Sequence, residues 1–424
     1  MPNKTVEGFV EEIRDLGGLK FIKLYTKDGY VQITINKKTA DEKLVRDFAT
    51  LTRQSCIKVT GEEKELPKSK INVEIHPKTL YIYSIAATSL PLEPSGKTSA
   101  EVDTRFKWRV LDLRDEKKRA IFTIQTALEH YAREYFTRNQ FIEIHSPKLL
   151  GAPSESGAEL FELRYFGKKA YLAQSPQFYK QMAICAGFNR VFEIGPVFRA
   201  NPSFTYRHDT EFTSLDVEIG YIESYQDVIK FEQEWLTYMI TKLKEYWGDM
   251  IKKNFDMEIT VPKTPFPQVK MTEAYEIVEK HGGKVKRGED LDSEGEKILG
   301  KYVKEKFGHD FVYLTEFPVS VRPFYHMRDS DNPQITYSAD LLFKGLEITT
   351  LAQREHRHDV LLKQAKEKGL SQENMEFYLN FFKYGAPSQG GFGFGLTRIL
   401  MQLLGFKNVR EVTFVPRDPK TLWP

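Results

Sequence analysis

Cysteine is almost missing: Cys56 and Cys185 are the two in 424 residues, far apart and without metal-ligand spacing. That argues against a disulfide framework and a cysteine zinc site, and it suits a reducing compartment. Long apolar runs are missing too, with no window near the roughly 18 apolar residues of a membrane span. The first residues, MPNKTVEGFVEEIRDLGG, lack the basic-then-apolar order of a signal peptide. The expectation is a cytoplasmic protein with no membrane partner. Neither sign of charge is in excess. The 62 Lys and Arg against 59 Asp and Glu leave +3, which does not announce a nucleic-acid binder and does not exclude one. No GxGxxG or GxxxxGK[ST] fingerprint occurs, so doubly wound and P-loop nucleotide folds are disfavoured.

Aromatic side chains are plentiful, 13% of the chain from 30 Phe, 21 Tyr and 4 Trp. They suit a β-rich core and stacking on nucleobases alike. Residues 5–85 read as short alternating strands with turn punctuation: VEGFVEEI, LKFIKLYT and YVQITI, then a helical ADEKLVRDFATL, then CIKVTG and INVEIHPKTLYIYS. Three strands, a helix and two strands is the order of a five-stranded OB barrel, although other small barrels share such patterns. SLPLEPSGKTSAE (89–101) reads as a linker, followed by basic residues Arg105, Lys107, Arg109 and Arg114. A long amphipathic helix opens the remainder, in which strands and helices mix without βαβ alternation. The division expected is a barrel over 1–88, a hinge over 89–118 and a large α+β domain over 119–424. Gly- and charge-rich residues 281–308 read as a small surface insertion.

Four segments carry candidate chemistry. In 190–221 two alternating strands flank a loop with Arg199, Arg207 and His208, a hairpin that projects cations. Guanidinium groups grip phosphate through two nitrogens, and a solvated hairpin would look the same. In GGFGFGLTRILMQLLG (390–405) a Gly/Phe strand runs into an apolar helix with Arg398 in its first turn, suited to a polar ligand or to tight packing. In 337–366, Asp340 and Glu347 flank a kink at Gly345, hard carboxylates suited to Mg²⁺ on a nucleotide phosphate. REHRHD lacks the HExxH pattern, so His356 and His358 read as helix-start residues rather than zinc ligands. In 151–182, Glu155, Gln177 and Lys180 sit beside apolar strand sequence, where a small polar ligand is fixed.

Taken together and in order, DTRFKWRVLDLR, FIEIHSPKLL, LAQSPQFYKQM, VFEIGPVFRA…RHDTEF, GLEI…QREHRHD, GGFGFGLTRILM and VPRDPKTLWP resemble the class II aminoacyl-tRNA synthetases, and among them the archaeal/eukaryotic-type aspartyl enzymes. The resemblance spans nearly the whole chain. It implies an α+β fold: an OB-fold barrel, and a catalytic domain on an antiparallel sheet flanked by helices. It implies an ATP-dependent ligase that activates L-aspartate and transfers it to tRNA(Asp), with tRNA(Asn) as a second acceptor in relatives of this type. By that resemblance Arg199 takes the α-phosphate of ATP and the incoming carboxylate, and acts as the catalytic residue. Arg207 and His208 are the loop cations on the outer phosphates. Phe212 stacks on adenine opposite Arg398, with Gly395 beside it. Asp340 and Glu347 are the Mg²⁺ carboxylates. The amino acid is held by Glu155, Gln177, Lys180, Asp216, Thr350 and Arg354, and anticodon bases by Phe21 and Gln32. Motif 1, the long helix plus FIEIHSPKLL, implies a homodimer.

Substrate choice turns on charge: Lys180 and Arg354 are the cations expected to hold the aspartate side chain, and an amide would leave a cation uncompensated. Departures from the family pattern are Asn201 and Thr397, each where a glutamate is usual, and Thr349–Arg354 in place of SSGGQR. The alternatives are an asparaginyl enzyme, or a non-charging paralogue that binds tRNA or makes asparagine.

Overall fold

The computed structural model describes residues 3–65, 71, 73–96, 98, 100–152, 159–202 and 205–423. The chain divides into two compact units, Met1–Asp115 and Glu116–Pro424.

In the first unit β1 (Asn3–Leu16), β2 (Leu19–Thr26), β3 (Gly29–Asn36), β4 (Cys56–Glu65) and β5 (Val73–Ser84) close into a barrel of order β1-β2-β3-β5-β4. The period-2 alternation sends Val10, Ile22, Leu24, Ile33, Ile57, Val59 and Ile75 into one buried core. Helix α1 (Glu42–Ala49) lies between β3 and β4 and starts at Asp41, whose carboxylate accepts from the Lys43 and Leu44 N–H groups. This is the five-strand order read from the sequence. The basic stretch after it is less bare than its sequence. Residues Val102–Lys107 and Arg109–Asp112 are short helices, and buried Asp112 pairs with Arg109 at 2.5 Å and Arg105 at 3.1 Å.

The second unit is built on an eight-stranded sheet in the order 268–270, 311–315, 338–343, 346–354, 389–395, 211–220, 190–198 and 142–143. Neighbours are antiparallel except the outermost pair at each edge. One face of the sheet packs on the long helices Glu116–Arg138 and Tyr225–Phe255, the second opened by a Ser224/Asp227 capping box. Trp235 is wholly buried there, its ring 5.6 Å from Phe392 and 5.0 Å from Phe394. The phenylalanines of the Gly/Phe strand are therefore core residues.

The segment read as a surface insertion does more than cover the surface. Asp292 caps a helix, Ser293–Phe307, that buries Leu299, Val303 and Glu296. Its apolar face was hidden in the sequence among lysines and glutamates.

Candidate active site

Because successive residues of a strand face opposite sides, each strand that feeds the core with one set of residues offers the other set to the opposite face. Leu215, Val217 and Ile219 enter the core. Phe212, Ser214 and Asp216 of the same strand line a cavity of about 340 Å³. Thr350 and Arg354 reach it from the strand Leu346–Arg354, and Gly393 and Gly395 from the strand Gln389–Gly395. Pairing runs Ser214↔Gly395, Asp216↔Gly393 and Thr350↔Gly393. Four residues of strand span about 13 Å. Phe212 and Arg398 therefore mark one end of the cavity, and Asp216 and Arg354 the other.

At the first end the hairpin strands Arg190–Phe198 and Glu211–Gly220 hold Arg199 beside Phe212, its guanidinium 5.7 Å from the ring centroid. The Arg199 Nε is buried with no hydrogen-bond partner among the described residues, a donor suited to an anionic ligand. Arg398 Nη1 donates to the Glu347 carbonyl at 2.8 Å and lies 3.2 Å from its carboxylate. Arg207 Nη1 donates to Glu296 Oε1 at 2.6 Å. Burial first, then Arg398 and Arg207 beside it, push the His208 imidazole down to about 4. Thr205 Oγ1 is hydrogen-bonded to its Nδ1.

At the second end stands a buried cluster of four charges. Arg354 donates to Glu218 from Nε at 3.0 Å and from Nη2 at 3.3 Å, and to the Gly391 carbonyl at 2.9 Å. Lys180 donates to Asp216 Oδ1 at 3.0 Å and to the Phe392 carbonyl at 2.9 Å, with Glu218 Oε2 at 3.6 Å. Ser214 Oγ donates to the other Asp216 oxygen at 2.6 Å. Lys180 is 1% exposed, absent from the cavity lining and held by protein carboxylates. Two cations face two carboxylates, so neither cation waits uncompensated for a substrate. Gly391 is required by this cluster, since a Cβ there would fall 2.4 Å from Glu218 Oε2 and 2.0 Å from the Val217 carbonyl oxygen.

The two proposed metal carboxylates stand on a hairpin, Ser338–Phe343 and Leu346–Arg354, turned by Lys344 and Gly345 at φ +50° and +73°. Asp340 Oδ2 pairs with Arg322 at 2.7 Å, whereas its buried Oδ1 has no partner among the described residues. Burial pushes the Asp340 carboxyl up to about 7, Arg322 opposing and Glu347 reinforcing. For Glu347 burial also pushes upward, but Arg398, Arg207 and Arg322 together hold it below the usual range. No group of three or more His, Cys, Asp or Glu suited to a metal occurs among the described residues. A divalent cation here would have two carboxylates and would complete its shell with ligand oxygens and water, as Mg²⁺ does on phosphates. The orphaned Oδ1 fits that.

The structure thus gathers Gln177, Arg199, Arg207, His208, Phe212, Asp216, Glu347, Thr350, Arg354, Gly395 and Arg398 around one cavity. Glu155 lies outside the described residues. Asn201 and Thr397 line the cavity, so both departures from the family pattern sit in the site itself. His356 and His358 precede and open the helix His358–Glu367, as read. In the barrel, Phe21 and Gln32 fall on the outward set of β2 and β3. Gln32 Nε2 donates to Glu74 at 3.0 Å. Sequence reasoning missed Arg322, His326 and Glu296. Arg322 and His326 line the cavity from an irregular segment whose sequence gives no periodic signal. Burial, with Arg354 adding, holds His326 well below its ordinary value.

Residues 101–419 match the family model of class II tRNA synthetases (D, K and N), and residues 4–83 that of the OB-fold nucleic acid binding domain. The chain is 45% identical over 419 residues to an aspartate–tRNA(Asp/Asn) ligase of Aeropyrum pernix, covering 98% of this chain and 94% of that one. It is 43% identical to an aspartate–tRNA(Asp) ligase of Pyrococcus horikoshii, covering 99% and 95%. Among solved structures, asparaginyl-tRNA synthetase from Pyrococcus horikoshii complexed with asparaginyl-adenylate superposes with a TM-score of 0.92 at 28% identity, covering 100% and 96%. Aspartyl tRNA synthetase from Entamoeba histolytica gives 0.88 at 32%, covering 100% and 90%.

Proposed function

Because the chain belongs to the class II tRNA synthetases of the D, K and N group, we propose that it is an aspartate–tRNA ligase working at this cavity. It activates L-aspartate with ATP and transfers the aspartyl group to tRNA(Asp). The observation that carries the reading is the single cavity with Arg199, Phe212 and Arg398 at one end and the Asp216–Lys180–Glu218–Arg354 cluster at the other. Relatives at 43–45% identity named as aspartate ligases support aspartate over asparagine, since the asparaginyl enzyme is 28% identical.

The aspartate α-carboxylate oxygen attacks the α-phosphorus of ATP, and the bond to the β-phosphate bridging oxygen breaks to release pyrophosphate. This attack needs no side-chain nucleophile. Arg199 holds the α-phosphate and the incoming carboxylate together, which supplies proximity and stabilises the charge that develops on phosphorus. Phe212 and Arg398 sandwich the adenine, and Arg207 reaches the outer phosphates. Arg354 faces the aspartate side chain and Asp216 the α-amino group. Lys180 acts through Asp216 and Glu218, holding Asp216 by a hydrogen bond and standing 3.6 Å from Glu218. Asp340 and Glu347 are the residues that would hold Mg²⁺, which would supply charge neutralisation to the phosphates. The 3′-terminal ribose hydroxyl of tRNA then attacks the acyl carbon and AMP departs. The barrel docks the anticodon through Phe21 and Gln32, and the helix Glu116–Arg138 with the segment after it forms a homodimer contact.

Aspartate-dependent pyrophosphate exchange tests the reading: Arg199→Ala should abolish it, and near-normal exchange overturns the assignment. Charging purified tRNA(Asp) and tRNA(Asn) separately with labelled aspartate decides the acceptor range. The Aeropyrum pernix relative, named for both tRNAs, favours both being charged here.

A further inference from the structure

Resting on the reading of Arg207 and Glu347 as ATP-side residues, we propose that Glu296 is a positioning residue for the nucleotide, one carboxylate that fixes both of them at once. Its Oε1 accepts from Arg207 Nη1 at 2.6 Å, and its Oε2 accepts from the Glu347 backbone N–H at 3.1 Å. Glu296 is 6% exposed, and a buried carboxylate is tolerated only where such donors meet it. The two donors come from the two segments that carry the phosphate-side groups, the arginine hairpin's loop and the carboxylate hairpin.

What holds the carboxylate there is backbone. Leu299 and Val303 anchor the helix Ser293–Phe307 in a buried cluster. Gly300, one turn after Glu296 and on its face of the helix, touches the turn before Glu347: a Cβ on Gly300 would fall 2.5 Å from the Gly345 nitrogen. A Cβ on Gly345 would fall 2.8 Å from the Lys297 Cα. No flexible side chain intervenes, so the spacing of Glu296 to Glu347 is set by chain against chain. Arg207 spends one nitrogen on Glu296, and a guanidinium has further donors for phosphate. An arginine already held in one rotamer loses less freedom on meeting its ligand, and that preorganisation is what Glu296 contributes.

The test is steady-state pyrophosphate exchange with the full chain. Glu296→Ala should raise the ATP KM about tenfold and leave the aspartate KM within about twofold. The isosteric Glu296→Gln, which keeps an oxygen for the Glu347 N–H, should fall between. Gly300→Ala, which pushes the helix off the turn without touching a charge, should also raise the ATP KM. Lys301→Ala, exposed on the same helix, should not. In an Arg207→Ala background Glu296→Ala should cost markedly less than in the parent chain. Equal costs in both backgrounds, or equal rises in the ATP and aspartate KM, would overturn the proposal while leaving the ligase reading intact. The ligase reading itself stands or falls on Arg199→Ala.

Discussion

Arg354 and Glu218 meet as a fork, Nε 3.0 Å from Oε1 and Nη2 3.3 Å from Oε2, with both side chains almost wholly buried. Removing one partner of such a pair strands the other charge in a low-dielectric interior. Glu218→Ala should therefore lower the unfolding free energy by about 3–5 kcal/mol in urea denaturation. A loss below about 1 kcal/mol, the range of an exposed pair, would mean that water reaches the fork.

The second pair in that cluster predicts a functional split. Lys180 lies off the cavity wall but holds Asp216, which lines it. Lys180→Leu leaves Asp216 and Glu218 to share Arg354. Steady-state exchange should show the aspartate KM rising far more than the ATP KM. Equal rises would remove Lys180 from the amino-acid end.

Phe212 stands beside Arg199 at the nucleotide end. A base stacked on an aromatic ring gains about 1–3 kcal/mol, so Phe212→Leu should raise the ATP KM by about tenfold or more. Phe212→Tyr keeps the ring and should stay within about twofold. If leucine serves as well as phenylalanine, the ring is not under the adenine.

Phe212 and Asp216 were legible through the family resemblance, and the strand's alternation explains why they share a face: Leu215, Val217 and Ile219 enter the core, so Phe212, Ser214 and Asp216 take the other side. The barrel was legible from the alternation of its strands. What the sequence hid are states set by neighbours far along the chain. The His208 imidazole is pushed down by burial and then by Arg398. Lys180, on the helix Gln177–Cys185, is compensated because Asp216 and Glu218 arrive from the strand Glu211–Gly220. Glu296 looked like one more surface charge in a Gly-rich stretch. Only the close backbone contact of Gly300 with Gly345 brings it to Arg207 and Glu347.

In the barrel, Phe21 sits half-buried on the outward set of β2, paired across to Thr34. A ring there that stacks on an anticodon base contributes about 1–3 kcal/mol and no charge. Phe21→Ala should raise the tRNA KM in charging about tenfold, leave the slope of binding against salt unchanged, and leave pyrophosphate exchange intact. A changed exchange rate would show that the substitution acts on the catalytic unit instead.

Glu232 lies beneath the sheet, fully buried, and accepts from the Tyr313 hydroxyl at 3.0 Å. Burial pushes its carboxyl up to about 8, with hydrogen bonds to it opposing. In the folded chain it is therefore protonated near neutrality, whereas in the unfolded chain it ionises near its ordinary value of about 4.3. Between those two values unfolding releases a proton, so the stability this group contributes is full below the unfolded value. It is lost as pH rises through the folded one. The slope reaches at most about 1.4 kcal/mol per pH unit. Glu232→Gln stays neutral throughout and keeps an oxygen for Tyr313. Urea denaturation at a series of pH values from about 5 to about 8.5 should show the parent chain losing stability relative to Glu232→Gln as pH rises. Parallel curves would mean that the carboxyl is already ionised in the folded chain, compensated by a partner within the core.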